Sequence, residues 1–351
     1  SSDLSSAILI LFVGGYADKI PAKSLSTLVI FGLIVFVFLM ANNTSTWGLV
    51  FIILGLRFFG QGMLGHISMV FCGKWFFKNK GKAVAVANSG YTLAEAIMPT
   101  IFVALIGLLS WQVSWYVSII MSILILASVR FLAKTERNKG TKPQKENQQV
   151  GMLKKSWKRS EMLRSWVFWA AVPGLMTSPM ITTTLFFHQV HLVEIKSWDL
   201  STYVLFIPAY SAATLFSLYL VGYLVDKLST KIILPVFLFP LISGLLLLSI
   251  ATSYLELLLI FILLGLSAGA YIVVYGTFFP EFFGSLYLGS VRTVGVTIMV
   301  FSSAIGPVLS GYFIDLGYLI DHQFKFFATF SVFASLLFLT INLSVKLPEN
   351  A

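Results

Sequence analysis

Long apolar runs, each closed by a charge, a Pro, Gly or Asn turn or a Trp, occupy most of the chain. Eleven of them fall at 1–17, 24–41, 47–71, 83–107, 111–133, 166–190, 201–225, 231–252, 255–279, 289–314 and 324–345. Crossing a bilayer takes about 20 mostly apolar helical residues. The hydrocarbon core offers backbone groups no water, which restricts spanning segments to helices and closed barrels. Unbroken runs of this length differ from the alternating strands, about ten residues each, of an outer-membrane barrel. The pattern predicts an all-α polytopic membrane protein with 11 transmembrane helices, arranged as a bundle over 1–133, a linker over 134–165 and a second bundle over 166–351.

Composition agrees: 58% of the residues are hydrophobic, 11% are charged and the mean hydropathy is +0.90. Soluble domains lie nearer 45–50% apolar and about 25% charged. A net charge of +10 would point to nucleic acid in a soluble protein, but ten of the 24 basic residues lie within 134–164 and most others flank apolar runs. Nucleic-acid binding is thereby excluded, and the bilayer is the partner. Alternate connections carry Lys19 and Lys23, then Lys74, Lys78, Lys80 and Lys82, then the linker, then Lys227 and Lys231, with Lys346 in the tail; the opposite set holds Lys196 and Lys325. By the positive-inside rule the basic side and the C-terminus are cytosolic. The single Cys72 excludes an intrachain disulfide and a Cys-cluster metal site. No nucleophile, metal set or paired acid and base is present, so neither an enzyme nor a cofactor is expected.

The stretch Gly14-Gly15-Tyr16-Ala17-Asp18-Lys19 recurs as Gly222-Tyr223-Leu224-Val225-Asp226-Lys227, with Asp18 and Asp226 208 residues apart. Pro99 and Pro307 repeat the same offset, and Leu54-Gly55-Leu56 returns as Leu264-Gly265-Leu266 after 210 residues. This is an internal repeat. One copy of the turn follows the first predicted helix and the other follows the second helix of the later half. One helix is therefore expected to be missing ahead of Ser1, from a twelve-helix parent.

Two halves joined by a basic loop, each with a Gly-x-x-x-Asp-Lys turn, resemble the major facilitator superfamily. So does Arg57-Phe58-Phe59-Gly60-Gln61-Gly62, which looks like the family's arginine followed by a Gln-Gly step. The turn departs from the family at Pro21 and Ala22, where Gly and Arg are usual. Within the superfamily, Trp75-Phe76-Phe77 with Gly81-Lys82-Ala83, Phe187-His188-Gln189-Val190 and Ala304-Ile305-Gly306-Pro307 resemble bacterial monocarboxylate and oxalate/formate porters. The resemblance implies a monomeric carrier in a bacterial inner membrane, with a gate at the cytosolic side built by Asp18, Lys19, Asp226 and Lys227. In such folds the solute sits near the bilayer midplane between rocking halves.

Polar groups at midplane depth are functional candidates, because charges there are costly. Arg57 lies about 15 Å below Trp47 at 1.5 Å per residue. Glu95 is the one acid deep within a run and shares a helix face with Asn88, Tyr91 and Pro99. An Arg57–Glu95 contact, with Gln61 one turn from Arg57, would switch the carboxyl between its protonated and ionised forms and so couple transport to protons. A static salt bridge is the alternative. Arg292 enters its helix a few residues from the cytosolic end, within snorkelling reach of the headgroups. Thr184 and His188 share a face near the outer mouth, while His66 reads as structural. Tyr210 and Thr214 on one helix, and Tyr271 and Tyr275 on another, form hydroxyl stripes suited to a small polar solute.

The expectation is a symporter that moves a small, monocarboxylate-like organic anion with protons. Efflux of an apolar drug or metabolite, and a transport-inactive sensor with the same fold, are the alternatives. The linker reads as a tether, with an amphipathic stretch at 152–163 held to anionic lipid.

Overall fold

The computed structural model describes residues 2–76, 78–132 and 150–346, and these form helices with no strand. The helices before the linker are α1 (Ser2–Val13), α2 (Ala22–Ala41), α3 (Thr46–Leu56), α4 (Gly65–Trp75), α5 (Lys80–Leu108) and α6 (Trp111–Leu132). After it come α7 (Arg159–Met162), α8 (Trp166–Phe187), α9 (Gln189–Ile195), α10 (Leu200–Val204), α11 (Ile207–Leu228) and α12 (Thr230–Ile233). The chain continues through α13 (Phe239–Ile250), α14 (Tyr254–Phe283), α15 (Leu288–Asp315) and α16 (Ile320–Ser344). Among the described residues, nine helical runs are long and apolar enough to span a membrane, and Ser5–Asp18 and Phe239–Ile250 are shorter apolar helices.

Both shorter segments have local causes. At Gly14–Asp18 the helix tightens into a 3-10 turn. The run predicted over 231–252 is divided by residues 234–238, where Pro235 and Pro240 each withdraw a backbone donor. Elsewhere helix starts are set by side-chain caps. Ser253 and Glu256 form a reciprocal capping box on α14, and Asp199 accepts from Thr202 N at α10. Hydrogen bonds from Ser201 and Thr202 hold the Asp199 carboxyl below the usual carboxylate range.

Glycines permit the closest helix approaches. A Cβ on Gly265 or Gly269 of α14 would overlap the Tyr210 or Thr214 carbonyl oxygen of α11. In lipid, small residues of this kind replace the hydrophobic effect as the basis of helix association. Large aromatic side chains fill much of the interior elsewhere, with Phe168, Phe278, Phe282 and Phe338 wholly buried.

The linker differs from the tether expected of it. Residues 133–149 lie outside the described residues, but 151–158 are docked onto the C-terminal end of α14. Met152 N donates to Glu281 O at 2.7 Å and Trp157 N to Phe283 O at 2.9 Å, satisfying carbonyls that a helix end leaves open. Met152, Leu153 and Trp157 pack on the hydrophobic core, and Met162 is fully buried. Four of the apolar positions of 152–163 therefore face protein, and Leu163 is exposed. Most of the apolar side of the amphipathic stretch expected to lie on lipid is thus spent on protein packing.

Candidate functional site

Arg57 opens a π-helical turn, Arg57–Leu64, inside the continuous run Thr46–Trp75. Such widened turns are rare and cluster at functional sites. Across this turn Arg57 Nη1 donates to Gln61 Oε1 at 2.5 Å, and both residues are exposed. On α5, Tyr91 and Glu95 are also exposed. Tyr91 lies within electrostatic reach of both Glu95 and Arg57, and Tyr210 of α11 within reach of Glu95 and Tyr91. Arg57, Tyr91, Glu95 and Tyr210 thus form one neighbourhood drawn from three helical runs. Among the described residues no ion pair joins Arg57 to Glu95, so the contact raised from sequence is not made in this conformation. Asn88 points away: its Nδ2 donates to Val84 O at 2.8 Å and lies 3.4 Å from Met69 Sδ.

Several other candidates hold helices together. Pro179 lacks the N–H that would bond Leu175 O within α8, and Tyr271 donates its hydroxyl to that carbonyl at 3.0 Å. Thr214 and Thr184 donate to carbonyls of their own helices, Tyr210 O at 2.8 Å and Met180 O at 2.7 Å. Thr184 is buried against Gly306. His188 caps α8 and places Nε2 3.0 Å from Pro307 O of α15. For Thr214 and Tyr271 the open hydroxyl stripe is therefore replaced by buried packing, and Thr184, expected near the outer mouth, is buried as well. Arg292 also departs from expectation. It is buried rather than snorkelling, because α4 and α14 cross over it: Nη1 reaches His66 O at 3.3 Å and the guanidinium lies over Tyr275.

The repeated aspartates occupy equivalent places at the end of the bundle that carries the basic residues. Asp18 accepts from Gly289 N at 2.7 Å and Ser290 N at 2.8 Å, in the first turn of α15. Asp226 accepts from Gly81 N at 2.7 Å and Lys82 N at 3.0 Å, in the first turn of α5. Neither helix has a side-chain cap of its own at Tyr287 or Asn79. Each aspartate thus supplies, from the other half of the chain, the acceptor and negative charge that a helix N-terminus calls for. Lys74 reinforces Asp18 at 2.8 Å. Lys19 is exposed, and Lys227 stacks on Tyr223 at 4.7 Å, so the lysines of the repeated turn stand outside these bonds. The two backbones also approach closely here: a Cβ on Gly81 would overlap Gly222 O. Sequence reasoning missed Gly81 and Gly289, although the signal existed, since they too are 208 residues apart.

The turn after Asp226 is strained. Ser229 has φ 80° and ψ 154°, a region held almost entirely by glycine at a cost of about 1–3 kcal/mol for other residues. Its buried hydroxyl lacks a partner. Ser229→Gly is therefore expected to stabilise the protein by about 1–2 kcal/mol. Thermal unfolding in detergent checks this, and a lower Tm than wild type would contradict the strain. Among the described residues no group of three or more His, Cys, Asp or Glu is placed to hold a metal.

An all-helical membrane chain whose two halves latch each other's helix ends defines the class as a polytopic transport protein. The chain belongs to the Major Facilitator Superfamily, whose sequence profile matches residues 4–291, and it is a secondary transporter of that group. No curated protein matches it. Its fold is similar to that of the transporter FucP in the outward conformation, with TM-score 0.69 and 10% identity, over 98% of this chain and 87% of FucP. A second structure, of the E. coli fucose:proton symporter FucP, gives 0.69 and 11% over 97% and 86%. The human organic anion transporter MFSD10 (TETRAN) gives 0.66 and 12% over 98% and 82%. At such identities the likeness establishes the fold.

Proposed function

We propose that the protein moves a small, monocarboxylate-like organic anion together with protons by alternating access. In this reading the bundles 1–133 and 166–351 rock against each other, the basic end and C-terminus face the cytosol of a bacterial inner membrane, and the conformation described is closed on that side. The observation that carries it is the placement of Arg57 and Glu95 about Tyr91, with Tyr210 facing them from α11. Glu95 lies about 22 Å along α5 from Lys80 at 1.5 Å per residue, and Arg57 about 27 Å from Trp75, so both are deep in the span. A guanidinium suits a carboxylate. A carboxyl with no fixed ion pair is free to take up and release a proton as solute arrives. FucP, a proton symporter, and MFSD10, an organic anion transporter, are carriers of this fold, so it accommodates both features.

Uptake of lactate, pyruvate, formate and oxalate by proteoliposomes of the full-length protein, with and without an imposed proton gradient, tests the reading. Glu95→Gln is expected to abolish gradient-driven accumulation while solute exchange persists. An unchanged gradient dependence in Glu95→Gln would remove the coupling role. No uptake of any acid by folded protein would remove the anion and leave apolar efflux as the next reading.

A further inference from the structure

Arg292 is 4% exposed, yet among the described residues no carboxylate pairs with it. The groups that face its charge are Tyr275, Cys72, Tyr271 and His66. Its Nη1 reaches only the His66 carbonyl oxygen at 3.3 Å, its guanidinium carbon lies 5.2 Å from the Tyr275 ring centroid, and its Nε has no partner. Two neighbours share this condition. Tyr275, 5% exposed, has an unpartnered hydroxyl lying against Gly295, one turn along α15 from Arg292. His66, 2% exposed, directs Nε2 to Gly14 O at 3.1 Å and leaves Nδ1 without a partner. Two helices thus bring two unsatisfied polar atoms to a buried cation on a third, whose own Nε is also unsatisfied.

The other buried or half-buried cations at this end are treated differently. Lys74 is paired with Asp18, and Lys80 lies in the field of Glu281 and Asp226. A buried charge without a counter-charge is strongly disfavoured, and each unmet polar atom adds to the cost. A planar guanidinium with a free N–H edge beside a phenol matches a small carboxylate or inorganic anion.

We propose that Arg292 and Tyr275, in the seam between α4, α14 and α15, form a second anion-binding site that fills as the basic end of the bundle closes. The site begins about 6 Å along α15 from Leu288, about 15 Å nearer the basic end than Glu95. It rests on the opening and closing of the basic end in the proposed transport reading, and otherwise shares with it only the charge of its ligand. Opening the seam parts Arg292 from His66 and hydrates the guanidinium; an anion held there offsets the dehydration of closing. Anions therefore favour the closed form by mass action.

Cys72, the one cysteine of the chain, is half-buried on α4 beside this seam and reports its opening. The experiment is maleimide labelling of Cys72 in the full-length protein in nanodiscs, titrated with formate and with chloride, against gluconate as a bulky control. The expected result is saturable slowing by formate, chloride or both, roughly tenfold where the bound form is favoured by about 1.4 kcal/mol, and loss of that slowing in Arg292→Gln. Slowing by formate alone assigns the site to carboxylates, and slowing by chloride as well to small anions generally. No slowing by either, or slowing retained in Arg292→Gln, overturns the proposal. Thermal unfolding gives a second measurement: the anion raises the Tm of wild type and leaves that of Arg292→Gln unchanged. Arg57→Gln separates the two readings, because it retains the anion effect on Cys72 even where it abolishes uptake.

Discussion

Gly81→Ala is expected to raise the labelling rate of Cys72 and to impair transport, although the substitution improves the helix that carries it. Ala in place of Gly favours a helix by about 1 kcal/mol, so α5 itself is not at risk. The obstacle is the contact across the two halves: the new Cβ would overlap Gly222 O, while Asp226 Oδ1 lies only 3.1 Å from the same position. Backbone cannot move aside as a flexible side chain would, so α5 and α11 must separate where Asp226 caps α5. A separation that weakens the closed form by 1.4 kcal/mol raises the open fraction roughly tenfold. Gly222→Ala acts at the same contact from the other side, where its Cβ would meet Gly81 O at 2.8 Å. Gly269→Val is the contrast. Its overlap, with Thr214 O, joins α11 to α14 rather than one half of the chain to the other, so the loss there is of folded protein and not of one conformation. Labelling of Gly81→Ala at the wild-type rate, with transport intact, would show that the Gly81–Gly222 contact does not govern closure.

Much of the helix pattern was legible because bilayer thickness and flanking charge set it. The run 24–41 became α2, Ala22–Ala41, and 111–133 became α6, Trp111–Leu132. Interruptions were harder to read. Pro235 and Pro240 could have warned of the break in 231–252, but the π-helical turn at Arg57 has no such marker. The register of Asp18 with Asp226 was visible as a repeat, while what each carboxylate meets was not: Gly81 and Gly289 look like loop glycines until the helix starts are placed. Sequence spacing puts Tyr271 on an open stripe, while Pro179 marks Leu175 O as an acceptor in need of the donor that Tyr271 supplies. Arg292 misled for a different reason. Its distance from a helix end measures depth in the membrane, and says nothing about which helices lie over it.

Asn in place of both Asp18 and Asp226 is expected to empty the closed state. Each carboxylate takes two successive N–H groups, one on each oxygen. An Asn keeps one acceptor and turns its NH2 toward the other donor, losing a charge-assisted hydrogen bond of about 1.5–3 kcal/mol. It also loses about 0.3–1 kcal/mol of favourable interaction with the helix N-terminus. Asp18→Asn has the larger effect of the two, since it also strips Lys74 of its ion pair. The two aspartates act on different helices, so their effects should add: at the lower end of these losses, about 1.8 kcal/mol each, roughly twentyfold for one becomes roughly four-hundredfold for both in the open-to-closed ratio. Cys72 labelling reads the ratio directly, with total protein and melting curves to show that the variants fold. Because Asn also removes the local charge, Asp18→Glu and Asp226→Glu are needed beside it. The longer side chain keeps the charge but misplaces the two oxygens, and partial opening there would assign the latch to geometry as well as to charge. If Asp226→Asn labels like wild type while Asp18→Asn opens the protein, closure rests on the α15 latch alone and the symmetric pair is not a functional unit.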